Sequence, residues 1–228
     1  PPGPRGLPFI GNALDMPTDK PWLTFARWRE TYGDICSATV LGQTFVILNS
    51  YEIAVDLLDK RGSIYSERPH LTMGGDMVGW KSVPGLLPNG AVLRRQRKLM
   101  HSIFGTNVVG QLHTVQETTA LRLLRDLMNT PDKFDDHISR RVVGFILSIT
   151  YGYEVNGDGD ALVELVDRAM AEFSQVTVPG AFLVDKIPVL RFLPGWLPGM
   201  GFKSKARKWA KDLHDMVNVP YKFTERQV

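Results

Sequence analysis

The residues best suited to do chemistry in this 228-residue chain sit in one run, Leu93-Arg94-Arg95-Gln96-Arg97-Lys98-Leu99-Met100-His101, which places four cations and a histidine on a single helical stretch. At helical periodicity Leu93, Arg97, Met100 and Phe104 share one row, so Arg97 interrupts an otherwise apolar face that points where a core should be. Arg94, Lys98 and His101 form a polar row beside it. A guanidinium cannot neutralise itself by losing a proton, so a buried Arg97 needs an anion, either a protein carboxylate or an acidic group on a ligand. Snorkelling to solvent from the helix rim is the remaining outcome. Arg94, Arg95 and Lys98 read by default as a solvated face.

Other reactive constellations are missing from the sequence. The single cysteine, Cys36, falls in a predicted strand with no histidine near it in sequence and reads as a buried, inert thiol; it also excludes an internal disulfide or a Cys-rich metal site. The five histidines, His70, His101, His113, His137 and His214, are dispersed without paired ligand spacing, so no metal site is expected. Gly3 to Gly11 and Gly74-Gly75 lack the strand-to-helix context of a phosphate loop. A net charge of +3 is too small to imply nucleic acid, and none is expected as a partner. A hydrophobic fraction of 43% with 21 glycines is globular and excludes a disordered or collagenous chain. No apolar run reaches the ~18 residues of a membrane span. The start at Pro1 and the end at Gln227-Val228, inside a basic helical pattern, read as the limits of a piece of a longer protein.

The elements that must position these residues are mostly helical. Pro1-Pro2-Gly3-Pro4-Arg5-Gly6-Leu7-Pro8 is a stiff lead-in. Trp22, Phe25, Trp28 and Tyr32 predict a helix over Pro21 to Tyr32, with Thr18 or Asp19 to cap it and Gly33 to stop it. Ile35 to Leu41 and Thr44 to Leu48 predict a hairpin around Gly42-Gln43, with glycine first in the turn. A short helix is expected over Glu52 to Lys60. From Pro69 to Gly90 no regular element fits, and a long apolar loop of this kind is commonly functional. Helices follow over Ala91 to Phe104, Val108 to Met128 and His137 to Tyr151. Gly157-Asp158-Gly159 reads as a turn, and Asp160 can cap a helix over Ala161 to Gln175. The Pro- and Gly-rich stretch Val178 to Gly201 precedes a basic helix from Phe202. Its bulky apolar residues beside Lys203, Lys205, Arg207, Lys208 and Lys211 suit either a surface that dips into a lipid headgroup layer or a connector packed on its own core.

Several motifs together resemble the N-terminal half of a fungal, basidiomycete-like microsomal cytochrome P-450, a haem-thiolate monooxygenase. Residues 1–12, Pro1-Pro2-Gly3-Pro4-Arg5-Gly6-Leu7-Pro8-Phe9-Ile10-Gly11-Asn12, resemble the family's proline-rich hinge. Tyr32-Gly33-Asp34-Ile35 with the hairpin resembles its first sheet, and Tyr65-Ser66-Glu67-Arg68-Pro69 resembles the lead into its B to C loop, here residues 70–90. Residues 91–104 resemble its C helix, and Phe192-Leu193-Pro194-Gly195-Trp196-Leu197-Pro198-Gly199-Met200-Gly201-Phe202-Lys203 its F to G connector, placed over 178–201. The likeness covers essentially the whole chain as one part-domain. It implies a mainly α fold with a small N-terminal β-sheet, lacking the I helix, the ExxR helix and the loop that carries the iron-ligating cysteine.

The resemblance also implies roles. In the family's WxxxR motif a tryptophan and an arginine hold a propionate of haem b; here those positions are Leu93, which removes an indole donor, and Arg97. Arg94, Arg95 and Lys98 would face an NADPH-dependent reductase. Met73, Met77, Trp80 and Leu86 of the loop, with Phe173, Val176 and Phe182, would line a pocket for a hydrophobic small-molecule substrate. The iron ligand would lie outside these residues, since Cys36 lacks that loop's glycines and phenylalanine, and no catalytic residue is expected within them. The whole protein would be a monooxygenase of secondary metabolism on the cytoplasmic face of the endoplasmic reticulum membrane, anchored upstream of Pro1 and touching the membrane surface. The alternative is a truncated, non-enzymatic module that binds lipid or a membrane surface.

Overall fold

The computed structural model describes residues 1–228 except Thr18, Asn156, Asp158, Pro179 and Val228, so the Thr18 cap and the middle of the expected turn at Asp158 lie outside the described residues. Among the described residues the chain is mainly helical with one two-stranded antiparallel sheet. It divides into two compact units, Pro1–Glu67 and Arg68–Val228.

In the first unit α1 (Pro21–Tyr32) has the expected bounds and ends on Gly33, whose φ of +90° is a conformation that favours glycine. Its N-cap is Lys20, which offers no side-chain bond, so Asp19 does not cap it. The hairpin pairs β1 (Ile35–Val40) with β2 (Gln43–Leu48) in the register Ile35↔Leu48 to Val40↔Gln43. The two-residue turn is therefore Leu41-Gly42, one residue earlier than the sequence predicts. Both residues have positive φ, +48° and +81°, the twist that closes a tight hairpin; glycine takes the second position and Leu41 the first. The expected short helix is instead a turn of α2 (Tyr51–Ala54), a π-helical run (Val55–Lys60) and α3 (Gly62–Tyr65).

The proline-rich lead-in is held along β1. Gly11 bridges Val40, the Ser37 N–H donates to the Pro2 carbonyl at 2.8 Å, and Asn12 Oδ1 accepts the Thr39 N–H at 2.9 Å. A Cβ on Gly11 would lie 2.0 Å from the Thr39 carbonyl oxygen, so only glycine permits this approach. Cys36 is fully buried on β1.

The second unit begins with the segment for which no element was expected, and it is ordered. Residues Thr72–Val78 form a π-helical run and Trp80–Ser82 a 3-10 turn. The Asp76 N–H reaches back to the Leu71 carbonyl at 3.3 Å, a five-residue step that shifts apolar positions off the 3.6 period. Next come α4 (Ala91–Phe104) with the expected bounds, α5 (Thr106–Val109), α6 (His113–Asn129), α7 (Phe134–Tyr151), α8 (Ala161–Thr177) and α9 (Phe202–Glu225). Helix α7 starts before the expected His137 because Pro131–Lys133 leads directly into it and Asp135 and Asp136 suit its positive end.

Asp160 caps α8 as expected, accepting the Leu162 and Val163 N–H groups at 3.0 and 3.3 Å; Tyr153 donates to its other oxygen at 2.9 Å. Asp160→Ala is expected to cost about 1–2 kcal/mol, a cap plus a stranded phenol, and Asp160→Asn much less. Urea unfolding of both variants measures the difference, and equal losses would remove the cap from the account.

The core of this unit joins Met73, Val78 and Trp80 to Ala169, Val176, Val184, Ala206 and Trp209, so α8 and α9 close over the π-helical run. Gly74 sits where a Cβ would come within 2.8 Å of Val176, which lets that run lie directly on α8. A second cluster of Leu147, Leu162 and Leu165 joins α7 to α8.

Candidate functional site

Of the row on α4, only Leu93 is buried; Arg97, Met100 and Phe104 are exposed, as are Val92, Leu99 and Ile103. The apolar row thus meets the core of the unit at its first turn and is uncovered beyond it. Gln96 ties the helix to the preceding segment, its Nε2 donating to the Ser82 carbonyl at 3.1 Å. Among the described residues no carboxylate pairs with Arg97. Arg94, Arg95 and Lys98 are exposed and equally without an ion pair among the described residues. One helix therefore offers an exposed guanidinium bordered by uncovered Met100 and Phe104.

The residues expected around a substrate come together in space. Met73, Trp80 and Val176 are buried in the main cluster, and Met77, Leu86, Phe173 and Phe182 pack against it half-buried. The Trp80 and Phe173 rings are 4.7 Å apart, and the Phe182 ring meets Trp209 edge-on at 5.9 Å. In this chain these side chains fill one another's space. Leu86 also borders a cavity of about 300 Å³ shared with Leu71, Pro69, Pro88, His70 and the cationic Lys81 and Arg68.

Two carboxylates that sequence reasoning missed fasten this segment. Asp76 is met by Arg191 at 2.8 Å, His70 at 3.2 Å and Lys81 at 3.4 Å. Burial works against its charge, yet the pull of His70 and Lys81 and the hydrogen bond from Arg191 together hold its carboxyl below the usual aspartate range. Asp185 accepts the Met73 N–H at 2.8 Å. Both contacts join segments far apart in the chain, and no local pattern announces such a pairing.

The stretch 178–201 carries two 3-10 turns, Leu183–Asp185 and Pro188–Phe192. Phe192 and Trp196 stand out into solvent at 73% and 80% exposure, with Arg191 over the Phe192 ring at 4.7 Å and Lys203 bonded to the Leu193 carbonyl. No helix among the described residues is long and apolar enough to cross a membrane.

Haem fits this chain in part. The unpaired Arg97 beside exposed apolar side chains suits a propionate and the edge of a porphyrin. The chain's one thiol does not suit the iron: Cys36 is sealed in the first unit, burial pushes its thiol pKa up, and Asn49 Nδ2 donates to the sulphur at 3.6 Å. No group of three or more His, Cys, Asp or Glu among the described residues could hold a metal ion.

The family described as Cytochrome P450 matches residues 1–223. The chain is 46% identical over its whole length to cytochrome P450 monooxygenase 208 of Postia placenta, of which it covers 45%. It is 40% identical to cytochrome P450 monooxygenase claR of Ampulloclitocybe clavipes, covering 43% of that protein. It is also 40% identical to tryptamine 4-monooxygenase of Psilocybe cyanescens, where the match takes in 99% of the chain and 45% of the relative. The chain therefore spans somewhat less than half the length of these curated relatives, and with the family matched over residues 1–223 it belongs to the cytochrome P450 family.

Proposed function

We propose that this chain is the N-terminal portion of a haem-dependent monooxygenase that inserts one oxygen atom of O2 into a hydrophobic small molecule, with electrons arriving from NADPH through a reductase. The observation that carries the reading is Arg97, an exposed guanidinium in an apolar row with no carboxylate from the described residues to pair it. In this reading residues 91–104 are the C helix, and Arg97 grips a propionate by charge-assisted hydrogen bonds. Leu93, at the tryptophan position of the WxxxR motif that the segment resembles, supplies packing and no donor. When bound, haem b supplies the O2 and electron chemistry, through an iron ligand from outside these residues. The half-buried Met77, Leu86, Phe173 and Phe182 give the substrate apolar contact, while the buried Met73, Trp80 and Val176 back them and keep water away. Arg94, Arg95 and Lys98 present an unpaired positive surface to an acidic reductase domain.

The exposed Phe192 and Trp196, flanked by Arg191 and Lys203, support a reading in which the 178–201 connector rests on the headgroup layer of the endoplasmic reticulum membrane, on its cytoplasmic face. The same exposed aromatics favour a second reading, a lipid-surface module without enzymatic activity.

Arg97→Ala in the full-length protein is expected to lower haem bound per polypeptide several-fold, with Arg97→Lys intermediate because a point charge replaces a bidentate fork. Pyridine haemochrome content measures this. Unchanged haem content in Arg97→Ala would take Arg97 out of the site. Anionic-vesicle binding by a full-length protein that takes up no haem would favour the second reading.

A further inference from the structure

The interface of α8 and α9 buries an acid that none of the roles above uses. Glu172 is 6% exposed and lies on α8 between Ala169 and Val176 of the main cluster. Its carboxyl meets that of Asp212 on α9. The Asp212 side chain is 13% exposed; its Oδ1 lies 3.6 Å from Arg168 Nε, while its Oδ2 is buried with no hydrogen-bond partner. Two ionised carboxylates side by side and shielded from water would repel each other and leave that oxygen without a donor. One proton between them removes the repulsion and provides the missing donor.

We propose that Glu172 and Asp212 share a single proton and so form a pH-sensitive clasp between α8 and α9, closed at mildly acidic pH and opened when the proton leaves. The charged groups acting on Glu172 are Asp212 and Lys208 from α9 and Arg168 from α8 itself, and no charged residue of α7 is among them. The 72–78 segment, also packed on both helices, brings only Asp76, which is already held by Arg191, His70 and Lys81. Burial, then the Asp212 charge and the contact with its carboxyl, push Glu172 up to about 7, against the weaker pull of Lys208 and Arg168.

The sign of the effect follows from which state holds the proton. Between the ordinary glutamate value of 4.5 and about 7 the folded chain keeps a proton that the unfolded chain has released. Stability is therefore lost as pH rises through that window and is level above it. The loss is local, because α8 and α9 close the cluster over Met73 and Trp80. Opening the clasp loosens the cover of the 72–78 segment first.

Carbon-13 NMR of the side-chain carboxyls in the 228-residue chain tests the proposal directly. One carboxyl is expected to titrate near neutrality; it is absent in Glu172→Gln and moves at least one pH unit lower in Asp212→Asn. Once corrected for intrinsic exchange, amide protection in α9 should fall severalfold between pH 6 and 8 in the wild type and stay level in Glu172→Gln. The glutamine retains a donor for Asp212, so this variant keeps the fold. If every carboxyl titrates below pH 5.5, or the near-neutral titration survives Glu172→Gln, the shared proton does not exist. Neither result bears on Arg97 and haem, so the two readings fail separately.

Discussion

Trp209→Ala is expected to cost about 3–5 kcal/mol, the range for deleting a large aromatic from a packed core. That is a large part of the ~5–15 kcal/mol that holds a typical domain together. Trp209 is 6% exposed, stands edge-on to Phe182 at 5.9 Å, and joins α9 to the cluster containing Met73, Trp80 and Val176. Truncation would remove the ring contacts and leave a void, because two helices fixed by the rest of their length close only part of it. The cost is also spatially directed. The residues proposed to face the substrate lose their support before α6 and α7 do, so amide exchange should report early loss of protection over 72–82. Trp209→Phe should recover much of the loss, and Trp22→Ala, at a side chain 63% exposed on α1, should stay within ~0.5 kcal/mol. Denaturant unfolding of the three variants measures these differences. A loss under ~1 kcal/mol for Trp209→Ala would show that α8 and α9 do not close a core.

Elements whose own residues carry their boundaries could be read from the sequence. Helix α1 runs from a proline in its first turn to a glycine of positive φ, and the α8 cap is one aspartate acting on the next turn; both signals are local. The hairpin was legible as a hairpin but not in register. Glycine marks a position of positive φ without saying which of two turn residues it is, and here a leucine takes the other. The 72–78 segment escaped because its hydrogen bonds step by five and its glycines serve contact with Val176.

The candidate site divides along the same line. Arg97 stood out because it breaks a periodic row on one helix. Its exposure did not, because burial of α4 depends on what covers the helix, and that row is uncovered in this chain. Asp76 with Arg191, and Glu172 with Asp212, are pairs formed only when separate elements meet. Single-sequence periodicity has no means of matching such partners.

For the first of these pairs, Asp76→Ala is expected to destabilise by about 2 kcal/mol, between the ~0–1 of an exposed ion pair and the ~3–5 of a fully buried one. The intermediate value follows from the side-chain exposures, 22% for Asp76 and 34% for Arg191. Removing the carboxylate strands a guanidinium whose Nε is already buried without an acceptor among the described residues, and it leaves Lys81 beside Arg191 with no anion between them. The folded chain holds Asp76 below its unfolded value, so its contribution is complete above about pH 4 and is lost as pH falls further. Asp76→Asn should therefore flatten the acid limb of the stability profile while leaving the fall between about pH 4.5 and 7, where Glu172 acts, unchanged.

A double-mutant cycle with Arg191→Gln separates the pair from the rest of the network. Contacting charges give coupling of about 0.5–3 kcal/mol, whereas independent sites add to within ~0.5. Coupling near zero would mean that Asp76 serves His70 and Lys81 alone, and that the loop and the 188–192 turn move independently. Strong coupling, joined by the Asp185 bond to Met73, would make the 72–78 segment and the connector one strapped unit, so that loosening either exposes the same apolar cluster.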